Sequence, residues 1–269
     1  MNLFEALLLG LIQGATEFLP ISSSGHLILI PALFNLSPPT LSLIAVAHIG
    51  TLVAVLIYFR QDISQIIKGV VIGLQKGSPL ENTEARLGWY IVAASIPIAV
   101  AGLTMSDFLE IVFSAPSTVA FFLLVTAVIL VIGERLYSGQ KNLSQMGWSD
   151  TIIIGIVQVL ALFPGISRSG STITAGLWRG LGRAEAARFS FLLGIPAILA
   201  AGLFGLADIL AADDLLSQLP VIVTVFLAAA VSGYACIFFL LNWLRQHSLY
   251  LFAAYCAVLG LFYLLVYPA

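Results

Sequence analysis

Two stretches decide the fold: Phe18-Leu19-Pro20-Ile21-Ser22-Ser23-Ser24-Gly25-His26 and Phe163-Pro164-Gly165-Ile166-Ser167-Arg168-Ser169-Gly170-Ser171. Each interrupts an apolar segment. The first separates Leu3–Phe18 from Leu27–Leu36, and the second separates Thr151–Phe163 from Thr172–Trp178. Neither half alone has the roughly 20 apolar residues that a straight membrane-crossing helix needs. A helix, a Ser/Gly-rich loop and a second helix predict a hairpin that enters the bilayer and leaves by the same face. Irregular backbone is tolerated at membrane depth only where protein buries it or where it lines a cavity. Both loops are therefore expected inside the protein.

Around these hairpins the 269-residue chain is 60% hydrophobic and 9% charged, with a mean hydropathy of +1.08. Soluble domains are roughly 25% charged. The composition excludes a soluble globular protein, a disordered chain and a nucleic-acid binder. Six uncharged runs are long enough to span: Leu41–Phe59, Leu87–Ser106, Ile111–Gly133, Phe189–Ala207, Leu215–Leu244 and Ser248–Ala269. The expected fold class is an all-α polytopic membrane protein, with six transmembrane helices plus two re-entrant helix-loop-helix hairpins. Cys236 and Cys256 lie in apolar runs and read as buried small residues, not as a disulfide or metal pair. The N-terminal Met1–Gly10 segment has no basic region and carries Glu5, unlike a cleaved signal peptide.

Charge orients this plan. With six crossings, Arg60, Lys68, Lys76, Arg86, Arg135, Lys141, Arg179, Arg183, Arg188 and Arg245 fall on one side. The other side holds both termini, the Asp107/Glu110 turn and the Asp208/Asp213/Asp214 loop, with no Lys or Arg. Basic residues concentrate in cytoplasmic loops, so both termini are expected to face outward.

The hairpins also align with each other at an offset of 145 residues. Gly10, Gln13, Phe18, Ile21, Ser22, Ser24 and Gly25 match Gly155, Gln158, Phe163, Ile166, Ser167, Ser169 and Gly170, giving seven identities in the 23 pairs from Glu5 to Leu27. Each copy is followed by three spans. A hairpin plus an odd number of spans inverts the next copy, which predicts an inverted-topology repeat of residues 1–135 and 150–269 in one integrated membrane domain.

The copies agree in residues that shape backbone and differ in reactive ones: Glu17 faces Leu162, Ser23 faces Arg168 and His26 faces Ser171. That division predicts one composite site between the loops. Arg168 at membrane depth needs an anionic partner. It is read as a phosphate clamp, cradled by Ser167, Ser169, Gly170, Ser171 and Thr172 at a helix start; the alternative is a salt bridge to Glu17. Glu17 lies four residues after Gln13, on one helix face. It is a candidate divalent-metal ligand or general base, with Gln13 as a second oxygen ligand; the alternative is a helix-end charge paired with Arg168. His26 is a candidate acid/base. Ser23 is a candidate nucleophile, with Ser22 its rival and a candidate phosphate-binding residue; backbone capping is the plainer use of both. His48, in mid-span, is read as a supporting residue or one bonded to a carbonyl.

These residues carry a resemblance. QGATEFLPISSSGHL and FPGISRSGSTIT resemble the two motifs of the bacitracin-resistance type undecaprenyl-diphosphatases, (Glu/Gln)-x-x-x-Glu leading to Ser-Ser-x-Gly-His, and Pro-Gly-x-Ser-Arg-Ser-x-x-Thr. The first is met by Gln13, Glu17, Ser22, Ser23, Gly25 and His26, the second by Pro164, Gly165, Ser167, Arg168, Ser169 and Thr172. The resemblance implies an integral hydrolase of the bacterial plasma (inner) membrane that converts undecaprenyl diphosphate to the monophosphate and inorganic phosphate with a divalent cation (Mg or Ca). It thereby recycles the lipid carrier for cell-wall polymers and confers bacitracin resistance. It further implies Gly165 among the phosphate-binding residues and a polyprenyl diphosphate lipid as substrate. The partners expected are that substrate and membrane lipid; a homo-oligomer is compatible with the plan. One position bears on the metal: Gln13 stands where Glu is the alternative, so Glu17 is the only carboxylate in the two motifs. A transporter or flippase of a lipid phosphate is the competing function, because an inverted repeat serves either.

Overall fold

A computed structural model describes residues 1–34, 36–105, 115–139, 141–205 and 215–267, apart from the side chains at 204, 215 and 216. The acidic residues Asp107, Glu110, Asp208, Asp213 and Asp214, and the ends of four expected runs at Ser106, 111–114, 206–207 and 268–269, lie outside the described residues.

The described architecture is helical. In chain order the helices are α1 (Leu3–Phe18), α2 (Ser23–Phe34), α3 (Leu41–Tyr58), α4 (Arg60–Gln75), α5 (Thr83–Thr104), α6 (Pro116–Leu136), α7 (Trp148–Gln158), α8 (Arg168–Trp178), α9 (Arg183–Phe204), α10 (Leu215–Trp243) and α11 (Tyr250–Val266). Short polar side chains start several of them. Asn2 accepts the Glu5 N–H in a capping box, Thr40 caps α3 and Asn82 caps α5. Each satisfies an N–H that has no partner within its helix. Five helices (α3, α5, α6, α9 and α10) are long and apolar enough to cross a membrane, and the chain is a multi-pass membrane protein. The sixth expected run is the 17-residue α11. The amphipathic α4 falls between expected spans; its glycines Gly69 and Gly73 are buried while its charged face is exposed.

Both interrupted segments are helix–break–helix, but the second helices begin earlier than the apolar text indicated. α2 starts at Ser23 and α8 at Arg168. Ser24, Gly25 and His26, like Ser169, Gly170 and Ser171, thus form first helical turns. The serine just before each start caps it: the Ser22 and Ser167 hydroxyls accept the Gly25 and Gly170 N–H groups. In the second copy α7 ends at Gln158 and passes into a 3₁₀ turn, Val159–Leu162, before the break.

Packing brings the two breaks together. α1 and α3 lie against α10 through small residues. A Cβ at Gly10 would sit 2.5 Å from the Val225 carbonyl oxygen, and one at Gly50 2.5 Å from that of Phe226. Gly10 and Gly14 are one helical turn apart, the small-xxx-small spacing that lets helix backbones approach closely in membranes. Phe18, at the end of α1, is buried edge-on against Phe191 of α9, with ring centroids 5.4 Å apart. α8 lies between α6, α7 and α9. At one end of the bundle Arg183 forms a bidentate pair with the buried Glu134, Asp150 binds Lys141 and Arg179, and Arg188 binds Asp62.

Candidate functional site

The site is built where α1 ends and α2 and α8 begin. Along α1 the four-residue spacing puts Gln13 beside Glu17, and the Gln13 Nε2 donates to Glu17 Oε2 at 3.0 Å. The chain then turns through Leu19–Ser22. Ser22 has φ +71°, a left-handed conformation that costs a non-glycine residue roughly 1–2 kcal/mol. This turn brings Ser23 back over α1, where its Oγ donates to Glu17 Oε2 at 2.8 Å.

The second break is held from α6. Thr126 donates its hydroxyl to the Gly165 carbonyl at 2.8 Å and accepts the Ser167 N–H at 3.0 Å. Gly165 has φ +97°, and a Cβ there would press on the Val119 carbonyl, so no other residue fits the turn easily. Ser167 caps α8 by accepting the Gly170 N–H at 3.0 Å. The two breaks are joined directly: Ser169 Oγ donates to the Leu19 carbonyl at 3.1 Å.

Across this junction Arg168 Nη2 donates to Glu17 Oε1 at 2.8 Å, and Arg168 Nη1 donates to the Ser190 carbonyl at 3.0 Å. The side chains of Arg168 and Glu17 are 12% and 7% exposed. Buried charges of this kind persist only when paired, so the salt-bridge alternative is realised in this state. A guanidinium has five N–H donors, and two of them meet Glu17 and Ser190. His48 of α3 donates its Nδ1–H to the Ile44 carbonyl at 2.8 Å, and its Nε2 lies 3.9 Å from Glu17 Oε2.

These groups open on a cavity of about 230 Å³, lined by Glu17, Ser22, Ser23, Ser24, His48, Ser167 and Arg168, with apolar walls that include Ile98, Leu162, Ile166 and Ile198. Two helix starts face it. First-turn N–H groups lack intrahelical acceptors and attract anions; a guanidinium and four serine hydroxyls add to that attraction.

Of the residues singled out from the sequence, Glu17, Ser22, Ser23, Ser167 and Arg168 line the cavity. Gln13 is fully buried behind Glu17. Ser169, Gly170, Thr172 and Gly165 instead shape the second hairpin. Thr172 donates to the Arg168 carbonyl at 2.9 Å and bonds the Ser190 hydroxyl at 2.7 Å. His26 does not line this cavity: its Nδ1 meets the Ser22 carbonyl and its Nε2 the Tyr255 hydroxyl, each at 2.7 Å. Three contributors had little or no sequence signal. His48 was visible only as a polar residue in mid-span. Ser190 offers Arg168 a backbone carbonyl, which any residue carries. A Cβ at Gly194 would fall on the Arg168 guanidinium, so that glycine leaves room for the arginine.

Two oxygens suit a hard cation. One is the Glu17 carboxylate. The other is Gln13 Oε1, which is buried and has no hydrogen-bond partner among the described residues. No group of three or more His, Cys, Asp or Glu side chains gathers among the described residues. A cation here would therefore need oxygens from substrate and water to complete its shell.

Comparison with known proteins gives consistent matches. The profile of the family described as Bacitracin resistance protein BacA matches residues 6–262. The chain is 45% identical over 270 residues to the undecaprenyl-diphosphatase of Chlorobium limicola, covering 97% of this chain and 95% of that protein. It is 45% identical over 272 residues to the undecaprenyl-diphosphatase of Chlorobaculum tepidum, with the same coverage. It is 44% identical over 266 residues to that of Myxococcus xanthus, covering 99% of this chain and 89% of the relative.

Proposed function

This chain belongs to the bacitracin resistance protein BacA family, and on that premise we propose that it hydrolyses undecaprenyl diphosphate to undecaprenyl phosphate and inorganic phosphate. The observation that carries the reading is the Glu17–Arg168 pair with Ser23 bonded to the same carboxylate, in a cavity faced by two helix starts. Lipid-carrier recycling and bacitracin resistance follow from that reaction. The relatives' names favour hydrolysis over lipid transport.

In the proposed reaction the diphosphate replaces Glu17 at Arg168. The guanidinium fork and the N–H groups at the two helix starts take the phosphate oxygens, stabilising charge as it builds during transfer. Ser23 Oγ attacks the terminal phosphorus and its proton passes to Glu17 Oε2, supported by the 2.8 Å bond between them. The anhydride P–O bond breaks, and undecaprenyl phosphate leaves with the electron pair. Water then cleaves the Ser23 phosphoester: Glu17 returns its proton to the departing Ser23 Oγ, accepts the water proton in its place, and passes that proton to the released phosphate or to bulk water. Release of Glu17 from Arg168 only when an anion arrives keeps both buried charges compensated in the resting state. A divalent cation, Mg or Ca, held by Glu17 and Gln13 would neutralise charge on the diphosphate oxygens.

The topology proposed is an inverted repeat of six spans and two re-entrant hairpins, with both termini outside. Three observations support it: α1–α2 and α7–α8 are each broken at the aligned positions, the breaks bond to each other, and the basic residues Lys141, Arg179, Arg183 and Arg188 pair with carboxylates at one end of the bundle.

The test is phosphate release from undecaprenyl diphosphate by the purified, detergent-solubilised protein, with and without a chelator. Release that depends on protein and falls on chelation is expected. No release in the presence of Mg or Ca would overturn the assignment.

A further inference from the structure

His26 lies outside the cavity of Glu17 and Arg168, against Tyr255 and a second cavity between α1 and α2. Ser22 is the only non-glycine residue with positive φ among the described residues. Its carbonyl accepts two hydrogen bonds, both from His26: the backbone N–H at 3.2 Å and the ring Nδ1–H at 2.7 Å. A carbonyl only accepts, so the proton sits on Nδ1 and Nε2 presents a lone pair. The Tyr255 hydroxyl of α11 donates to that lone pair at 2.7 Å, with the two rings stacked 5.6 Å apart and within 6° of parallel. Tyr255 is exposed on the outside of the bundle, where a hydroxyl at membrane depth must find a protein partner. Both ring nitrogens of His26 are thereby engaged, and neither faces Glu17 or Arg168.

The second copy supplies an internal control. Ser167, the counterpart of Ser22, caps α8 with an ordinary φ of −74°. The counterpart of His26 is Ser171, whose backbone N–H bonds the Ser167 carbonyl at 2.9 Å while its hydroxyl has no partner among the described residues. An imidazole clamp is present where the helix start is left-handed and absent where it is relaxed.

We propose that His26 and Tyr255 are positioning residues: together they hold the Ser22 carbonyl, and so fix the Ser22–Ser23 peptide at the start of α2. The peptide is planar and trans. Turning the Ser22 carbonyl into the helix sends the Ser23 N–H the opposite way, out of the helix start, and sets the direction from which Ser23 Oγ reaches Glu17. His26 contributes no proton transfer to substrate. This rests on the reading of Ser23 as the phosphate-handling group.

The discriminating variants are His26→Asn and His26→Gln. An asparagine amide reaches the Nδ1 position and keeps a donor for the Ser22 carbonyl; a glutamine reaches the Nε2 position and keeps only the Tyr255 contact. With purified protein and undecaprenyl diphosphate, His26→Asn is expected within about tenfold of wild-type kcat and His26→Gln about a hundredfold down, each with KM little changed. Tyr255→Phe removes one neutral hydrogen bond and should lower kcat about threefold to tenfold, with thermal stability near wild type. If the asparagine and glutamine variants are folded and equally inactive, His26 is an acid/base and the proposal falls. Wild-type kcat in Tyr255→Phe also overturns it, and that substitution on an exposed ring still decides should the His26 variants fail to fold. Imidazole ¹⁵N shifts read the clamp without turnover. A protonated Nδ1 and a bare Nε2 whose shift moves in Tyr255→Phe are expected, and the opposite tautomer refutes the clamp. A wild-type protein that releases no phosphate would instead refute the hydrolase reading, leaving the ¹⁵N measurement to judge the clamp.

Discussion

Removing the charge of Glu17 should cost both stability and turnover, and the two losses can be separated. Glu17→Gln keeps the side chain's size and leaves an amide near Ser23 and Gln13, but strands the Arg168 guanidinium. Glu17 now meets three donors, from Arg168 at 2.8 Å, Ser23 at 2.8 Å and Gln13 at 3.0 Å, at 8% exposure. Breaking one side of a buried ion pair costs about 3–5 kcal/mol. At about 2–4 °C per kcal/mol for a chain of this size, the melting temperature should fall by roughly 10 °C. Arg168→Gln should fall comparably, because Glu17 is then the stranded charge. The double variant Glu17→Gln/Arg168→Gln leaves two neutral amides able to bond each other, and should recover most of the loss. Phosphate release should be lost in all three, since Glu17→Gln removes the proton acceptor, Arg168→Gln removes the anion clamp and the double variant removes both. Thermal unfolding in detergent, run beside the hydrolysis assay on the same preparations, supplies both readouts. A double variant no more stable than the weaker single one would refute the view that each charge is held by the other. A stable Glu17→Gln protein with wild-type hydrolysis would remove Glu17 from the reaction.

Gly194→Ala should displace the Arg168 guanidinium, since a Cβ there overlaps it; a drop in kcat/KM of about a hundredfold is expected, and wild-type kinetics would show that the arginine has room elsewhere. Ser23→Ala should lower kcat on the order of a thousandfold or more, whereas Ser22→Ala and Ser24→Ala remove weaker contacts and should stay within about tenfold; equal losses at all three serines would point away from Ser23 as the nucleophile. For topology, with Cys236 and Cys256 replaced by alanine, a cysteine at the exposed Ser37 should react with an impermeant thiol reagent from outside, and one at the exposed Gln75 only after permeabilisation. The reverse pattern would invert the orientation.

How much of the site was legible depended on what each residue does. Glu17 and Arg168 stood out because charge is expensive at membrane depth; a reader of the sequence can infer that each needs a partner and find only one candidate for the other. Gln13 followed from helical spacing alone. His26 stood out equally, but its chemical type did not disclose its direction. It turns to the Ser22 carbonyl and Tyr255, 229 residues away in sequence. The hydroxyls of the second loop were legible as a polar cluster but not as individuals. Ser167 faces the cavity, while Thr172 spends its hydroxyl on the Arg168 carbonyl and Ser190.

The sequence by itself determined the membrane class, the long apolar runs and the pairing of two broken segments into one site. Those properties are written in run length, charge scarcity and the offset repeat, and the bilayer enforces them whatever the packing. Only the tertiary structure decided which groups face the cavity. The second helices begin at Ser23 and Arg168, inside the stretches that read as loop. Each residue of an α-helix is rotated about 100° from the one before it, so the starting residue assigns every hydroxyl and ring after it to a face. That starting point is set by the Ser22 turn, the Ser167 cap and the contact between the two breaks. His48 and Gly194 join the site because α3 and α9 pack around that contact, a consequence of close approach between helices that no local pattern encodes.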